Sequence, residues 1–315
     1  MSILITDYIK NPLIEKKILG QLLTDSNSYN SELIRVLLVW HQKIDKKYLD
    51  LFPNLKAIVR YGVGYDQIDL RECKKRRIAV CNTPDYGSDE VSDTALALIM
   101  NFSRRINQYN FCSKSYKDIW QEKIIKNIKR TKNLKVGIIG AGRIGSILIR
   151  KLNSIGFQTS FYDPYLNDGY EKILDANRHT SLKSLIKESD IISLNCNLNP
   201  ETKHMVDDAF ISHMKKGSAL VNTARGGLIK DLDIIYKFIK SNHLLFVGLD
   251  VLPEEPPSES NLIECWRSNS KLSERIIINP HTAFYSIQSF VEMRKKASIN
   301  ALNILRKDIY KSRII

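Results

Sequence analysis

No stretch of this sequence is long and apolar enough to span a bilayer, and its opening, MSILITDYIK, reads as a strand and not as a secretion signal. Cysteine is scarce. The five residues, Cys73, Cys81, Cys112, Cys196 and Cys265, are odd in number and form no C-x-x-C pair. That usage speaks against a disulfide framework or a cysteine-built zinc site and suits reduced thiols in the cytoplasm. Internal repeats and low-complexity tracts are absent as well. Acidic residues are in the minority, with 34 Asp+Glu against 48 Lys+Arg and a net charge of +14. Such a balance raises the question of nucleic acid. The lysines, however, are spread along the whole chain, and the densest basic segment, residues 123–135, has no interleaved aromatics. Nothing there resembles a recognition helix or an RNA-stacking motif. Attraction of small anionic substrates explains the charge, so neither nucleic acid nor membrane is expected as a partner.

What is present is a soluble-type composition, 43% hydrophobic and 26% charged, in a 315-residue chain long enough for two domains with separate cores. The stretch LKVGIIGAGRIGSILIRKLNSIGFQTSFYD, residues 134–163, organises the rest. A β-branched run fills a strand buried on both faces. Gly140, Ala141, Gly142, Arg143, Ile144 and Gly145 follow as G-x-G-x-x-G, and an apolar helical pattern then runs to Gly156. Gly140 allows the tight strand-to-helix turn, Gly142 leaves room for a pyrophosphate, and Gly145 lets the helix lie close on the sheet. The helix N-terminus offers unpaired N–H groups to the phosphates. Asp163 ends the next strand, where its carboxylate can accept hydrogen bonds from the adenosine ribose hydroxyls and repel a 2′-phosphate. The cofactor is therefore read as NAD and not NADP.

In the first third, residues 3–5, 36–40, 55–59 and 78–81 read as short strands, with a helical pattern at 12–23. The alternation implies an open, largely parallel α/β sheet. Its third strand runs into Arg60-Tyr61-Gly62-Val63-Gly64. At a strand's carboxyl end, the backbone N–H groups of Gly62, Val63 and Gly64 suit a carboxylate; the same glycines equally suit a turn that merely needs positive φ. Residues 89–110 read as one amphipathic helix crossing into the second domain, and a helical segment around 116–128 leads to the glycine turn. Beyond Asp163, helices are expected at 181–188, 207–214 and 231–241, and strands at 191–194, 219–222, 246–251 and 276–278. The stretch up to Ser273 is irregular, and a closing helix at 286–309 returns to the first domain.

Arg225, Glu255 and His281 each follow a short β-branched strand of the nucleotide-binding half. Carboxyl ends of parallel strands face the cofactor crevice, so the three can converge near a nicotinamide. Taken one at a time, each has an ordinary structural explanation: a surface arginine, a solvated glutamate, a backbone-bonded histidine. Together they suit reduction of a 2-keto acid. The arginine fork binds the carboxylate and polarises the carbonyl, the histidine exchanges the proton, and the glutamate stabilises imidazolium.

The motifs G-A-G-R-I-G, N-T-A-R-G-G-L-I, L-D-V-L-P-E-E-P-P and N-P-H-T-A-F-Y-S resemble those of the D-isomer-specific 2-hydroxyacid dehydrogenases. Within that family, FYDPYLNDG, SLNCNLNPETKH and HTAFYSIQSFVEMR are similar to the C-terminal-binding-protein branch, although Phe284 stands where that branch has tryptophan. The resemblance implies an α/β protein of two Rossmann-like, doubly wound parallel sheets. A flavodoxin-like substrate domain, residues 1–100 with 286–315, would carry an inserted NAD-binding domain, residues 101–285. It assigns Arg225 to carboxylate binding, His281 to acid–base work and Glu255 to its partner. It places the Val63 and Gly64 amides on the substrate carboxylate and Asp250 on the nicotinamide amide. Cys196, Asn199, Thr223 and Ala224 would line the cofactor, and the protein would be a homodimer. The expected activity is NAD-dependent interconversion of a 2-keto acid and a D-2-hydroxy acid. The alternative is an NAD(H)-sensing, corepressor-like interaction protein with little turnover.

Overall fold

The computed structural model describes residues 1–7, 9–24, 27–114, 120–123 and 125–315. The chain divides into two compact units: Met1–Gly87 with Tyr285–Ile315, and Ser88–Phe284.

In the first unit, β1 (Ser2–Ile5), β2 (Leu23–Thr24), β3 (Ile34–Val39), β4 (Ala57–Arg60) and β5 (Ala79–Cys81) form a parallel sheet ordered β2-β1-β3-β4-β5. This is the flavodoxin-like order, with the strand sequence reversing between β1 and β3. Val36, Leu37, Leu38 and Val39 in β3 are fully buried, as a central strand covered on both faces requires. The chain end lies along β5: Ile314 donates to the Val80 carbonyl at 2.7 Å, so that edge is not left bare.

The second unit holds β6 (Lys135–Ile139), β7 (Gln158–Tyr162), β8 (Asn177–Arg178), β9 (Ile191–Leu194), β10 (Ser218–Asn222), β11 (Leu244–Leu249) and β12 (Ile276–Ile278). They make a parallel sheet ordered β12-β11-β10-β9-β6-β7-β8. The direction of winding reverses between β6 and β9, which creates a crevice at their carboxyl ends. Two apolar clusters fill its two faces, one including Ile192, Leu220, Val247 and Ile235, the other Val136, Ile138, Leu148 and Phe161. Each such side chain contributes about 1.5–3 kcal/mol on burial.

Several expectations need correction. The run from Asp89 is two helices, Ser88–Arg104 and Ile106–Lys114, because Arg105 takes a left-handed φ of 54°. The Asn101 side-chain oxygen accepts the Asn107 N–H at 2.8 Å and starts the second helix, while the Arg105 guanidinium lies 4.0 Å over the Phe102 ring. Helical periodicity continues through the break, so the pattern alone does not reveal it. The expected boundary at residue 100 falls inside the first of these helices, which belongs whole to the second unit. Of the helix expected at 116–128, residues 116–119 and 124 lie outside the described residues; the described part shows only the single 3-10 turn Gln121–Lys123. The stretch expected to be irregular contains the helix Asn261–Arg267, started by Ser260, whose side chain accepts from Ile263 N–H, and anchored by buried Leu262 and Ile263. No helix among the described residues is long and apolar enough to cross a membrane.

Candidate active site

The glycine turn after β6 sits at the crevice where the winding reverses, facing the loop after β9. Gly140 has φ 88°, and a Cβ there would fall 2.7 Å from the Cys196 backbone nitrogen. A Cβ on Gly145 would come within 2.1 Å of the Gly140 carbonyl oxygen. Both positions therefore admit only glycine. Above Gly142 the space is open: a methyl group there would meet nothing within 4 Å. Gly142 is also the N-cap of the helix Arg143–Ser154 and supplies no side-chain cap, which leaves the first-turn N–H groups of Arg143, Ile144 and Gly145 facing that space. This is the room and polarity a pyrophosphate needs.

Asp163 follows β7 directly. One carboxylate oxygen accepts from Ala141 N–H at 3.0 Å and the other from Tyr165 N–H at 3.0 Å. Each oxygen retains acceptor capacity for a ribose diol. The adjoining cleft of about 620 Å³ is lined by Tyr162, Asp163, Pro164, Arg178 and His179, among others. Arg178, which motif reading missed, shapes it: its guanidinium donates to the carbonyls of Asp163, Leu166 and Asn167 at 3.2, 2.6 and 3.0 Å.

Further along the crevice, the residues implied for the nicotinamide side fall at the ends of β9, β10 and β11. Thr223 Oγ1 is buried without a hydrogen-bond partner among the described residues, an orphan that a bound cofactor group would satisfy. Burial pushes the Cys196 thiol up to about 11, so it is a neutral wall residue. The Asn199 side-chain oxygen accepts from Glu201 and Thr202 N–H at 2.9 and 3.0 Å, which shapes its own loop. Asn222, fully buried and also missed from sequence, clamps the next turn. Its side chain accepts from Ala224 N–H at 3.0 Å and donates to the Arg225 carbonyl at 2.9 Å.

Arg225, Glu255 and His281 are brought together. His281 Nδ1 lies 2.7 Å from Glu255 Oε2, and Glu255 Oε1 accepts Leu252 N–H at 2.9 Å. Burial alone would raise the Glu255 carboxyl. The hydrogen bond and charge of His281, the Leu252 N–H and the Arg225 charge outweigh it and hold the carboxyl below its ordinary value. The Arg225 side chain itself is turned back on its own loop, with Nη1 donating to the Ala224 carbonyl at 2.7 Å. The two loops meet through Gly226: a Cβ there would lie 1.8 Å from the Leu252 carbonyl oxygen. The first glycine after the arginine in the T-A-R-G-G run was the one available signal for this close approach.

His281 itself adopts a left-handed φ of 55°, a conformation that costs a non-glycine residue about 1–2 kcal/mol. Asp250 holds it there. The Asp250 carbonyl accepts His281 N–H at 2.8 Å, and its carboxylate accepts Thr282 and Ala283 N–H at 3.0 Å each. Both carboxylate oxygens of this 2%-exposed residue are thus engaged within the loop. Burial raises its carboxyl pKa against these N–H groups.

In the first unit, β4 ends in the Tyr61–Gly64 turn. Gly62 has φ 133°; its carbonyl accepts Thr83 N–H at 2.9 Å, and the Val63 carbonyl accepts from the Asn82 side chain at 2.8 Å.

A doubly wound sheet with a phosphate-shaped glycine turn, a ribose-ready aspartate and a His–Glu pair at its strand ends defines an NAD-binding dehydrogenase. Comparison with known proteins agrees. Residues 96–283 match the family model of the D-isomer specific 2-hydroxyacid dehydrogenase NAD binding domain. The chain is 31% identical over 269 residues to a glyoxylate reductase of Korarchaeum cryptofilum, covering 84% of this chain and 78% of that protein. It is 30% identical over 289 residues to C-terminal-binding protein 1 of Caenorhabditis elegans, covering 89% of this chain but 38% of that longer protein. Its fold matches D-lactate dehydrogenase from Aquifex aeolicus, solved with NAD and lactic acid, with a TM-score of 0.84 and 27% identity over 98% of this chain and 96% of that one. The chain belongs to the D-isomer specific 2-hydroxyacid dehydrogenase family, and NAD is its cofactor.

Proposed function

We propose that this protein interconverts a 2-keto acid and a D-2-hydroxy acid, with His281 and Glu255 as the acid–base pair and Arg225 as the carboxylate anchor. The observation that carries this reading is the 2.7 Å contact between His281 Nδ1 and Glu255 Oε2. Bound NADH supplies the hydride for the keto carbon. Nδ1 of His281 faces Glu255, so Nε2 is the atom that gives a proton to the forming alkoxide and takes it back in the oxidative direction. Glu255 fixes the ring and balances the imidazolium. Arg225 holds the substrate carboxylate and polarises the carbonyl. Thr223 and Ala224 line the cofactor beside Cys196 and Asn199, and Asp163 selects NADH over NADPH. To the Tyr61–Gly64 turn we assign carboxylate binding through the Val63 and Gly64 N–H groups. The protein works as a homodimer.

The similarity to C-terminal-binding protein 1 supports a second reading, an NAD(H)-sensing interaction protein of that branch. Turnover separates the two. Purified protein with NADH and a panel of glyoxylate, hydroxypyruvate, pyruvate and longer keto acids should oxidise NADH and yield the D-hydroxy product in a chiral assay. A panel with no turnover rejects the dehydrogenase reading in favour of the second.

A further inference from the structure

The first unit contains a buried charged cluster that the catalytic residues do not use. Glu15, on the helix Leu13–Leu19, is fully buried. Arg294, on the helix Ile287–Lys307, grips its carboxylate with Nε at 2.8 Å and Nη2 at 2.5 Å, and Nη2 also donates to the Asn11 carbonyl at 2.9 Å. The Tyr61 hydroxyl donates to Glu15 Oε1 at 3.2 Å, and Tyr61 is fully buried. Burial, and then the Glu15 charge, holds that phenol well above its ordinary pKa, so it stays a donor. Ser298 continues the cluster along the same helix, donating to the Arg294 carbonyl at 2.8 Å.

A buried ion pair contributes little net stability compared with apolar packing of the same volume, but the two-pronged, charge-assisted hydrogen bonds of an arginine on a carboxylate are directional and orient both groups. What this pair fixes is the residue immediately before Gly62. Tyr61 N–H donates to the Val39 carbonyl at 2.8 Å, which seats its backbone beside β3. The rest of the turn is held by Asn82 and Thr83, just beyond β5. The Tyr61 hydroxyl is anchored separately, by helices from the two ends of the chain.

We propose that Tyr61 is a positioning residue for the carboxylate-holding turn, kept in place through its hydroxyl by the Glu15–Arg294 pair. The inference rests on the reading of that turn as a carboxylate site. Backbone N–H groups bind a carboxylate only within a narrow range of distance and angle, so a small shift at the root of the turn weakens substrate binding while leaving proton transfer at His281 intact.

The test is Tyr61→Phe in the full chain, assayed with the best keto acid of the panel, together with NADH affinity by fluorescence and the melting temperature. Loss of one hydrogen bond to a charged group should raise KM for the keto acid about five- to tenfold, with kcat within about twofold and NADH affinity unchanged. Arg294→Lys, which keeps the charge and loses the two-pronged grip, should raise KM likewise, and the double variant should add little because both act through one contact. An unchanged KM in Tyr61→Phe overturns the proposal, as does a parallel loss of NADH affinity. Gly64→Pro removes one N–H of the turn and separates the two ideas. If it raises KM while Tyr61→Phe does not, the turn reading stands and the role of Tyr61 falls. If neither variant moves KM, both fall.

Discussion

Two of the glycine turns that follow parallel strands in this chain, at Gly140–Gly145 and at Tyr61–Gly64, are built in opposite ways. At Gly140–Gly145 each constrained glycine faces main chain: the Cys196 backbone beyond Gly140, the Gly140 carbonyl beyond Gly145. At Tyr61–Gly64 the nearest neighbours of a Gly62 methyl group are side-chain ends, Arg60 Nη1 at 2.6 Å and Tyr86 Oη at 3.3 Å. Main chain cannot move aside without unravelling the sheet, whereas side-chain tips can. The first turn is thus a fixed cradle suited to an invariant pyrophosphate. The second is set by the side-chain packing around it.

The largest expected effect comes from breaking the fixed turn. Gly145→Ala puts a methyl group into the Gly140 carbonyl, and NADH affinity should fall by about a hundredfold or more, read by fluorescence titration; wild-type affinity would show that the cradle yields. Gly226→Ala tests a second main-chain contact, between the Arg225 and Glu255 loops. It should lower kcat/KM about a hundredfold with NADH binding kept, since reacting groups displaced by about 1 Å lose that much. Glu255→Gln comes third. The Glu255 carboxyl is held below its ordinary value, so the stabilising His281–Glu255 pair is intact above the ordinary glutamate range and is lost only as pH falls through that lower folded value. The glutamine variant should lose about tenfold in kcat near neutrality and shift the acidic limb of the pH–rate profile; a profile superimposable on the wild type removes Glu255 from the pair. Gly62→Ala should do least. Its φ of 133° disfavours alanine, but the neighbours can give, so KM for the keto acid should rise a few-fold (about 1 kcal/mol) with NADH affinity unchanged. An effect as large as that of Gly145→Ala would erase the contrast between the turns.

The sequence by itself determined the glycine turn, its strand and helix, Asp163, and the parallel α/β class, because these rest on local chemistry: a period of buried β-branched residues, glycines at fixed offsets, an acid at a strand end. Arg225, Glu255 and His281 could be named, but each alone had an ordinary explanation, and only the fold put His281 against Glu255, with the Arg225 charge felt by the same carboxyl. Tertiary structure alone decided the break at Arg105 and the helix Asn261–Arg267. It alone showed the Asp250 carboxylate engaged by the His281 loop, the close approach at Gly226, and the clamps made by Asn222 and Arg178. Each of these depends on which main-chain groups of distant segments are left to be satisfied, and that pairing does not exist until the sheet has formed.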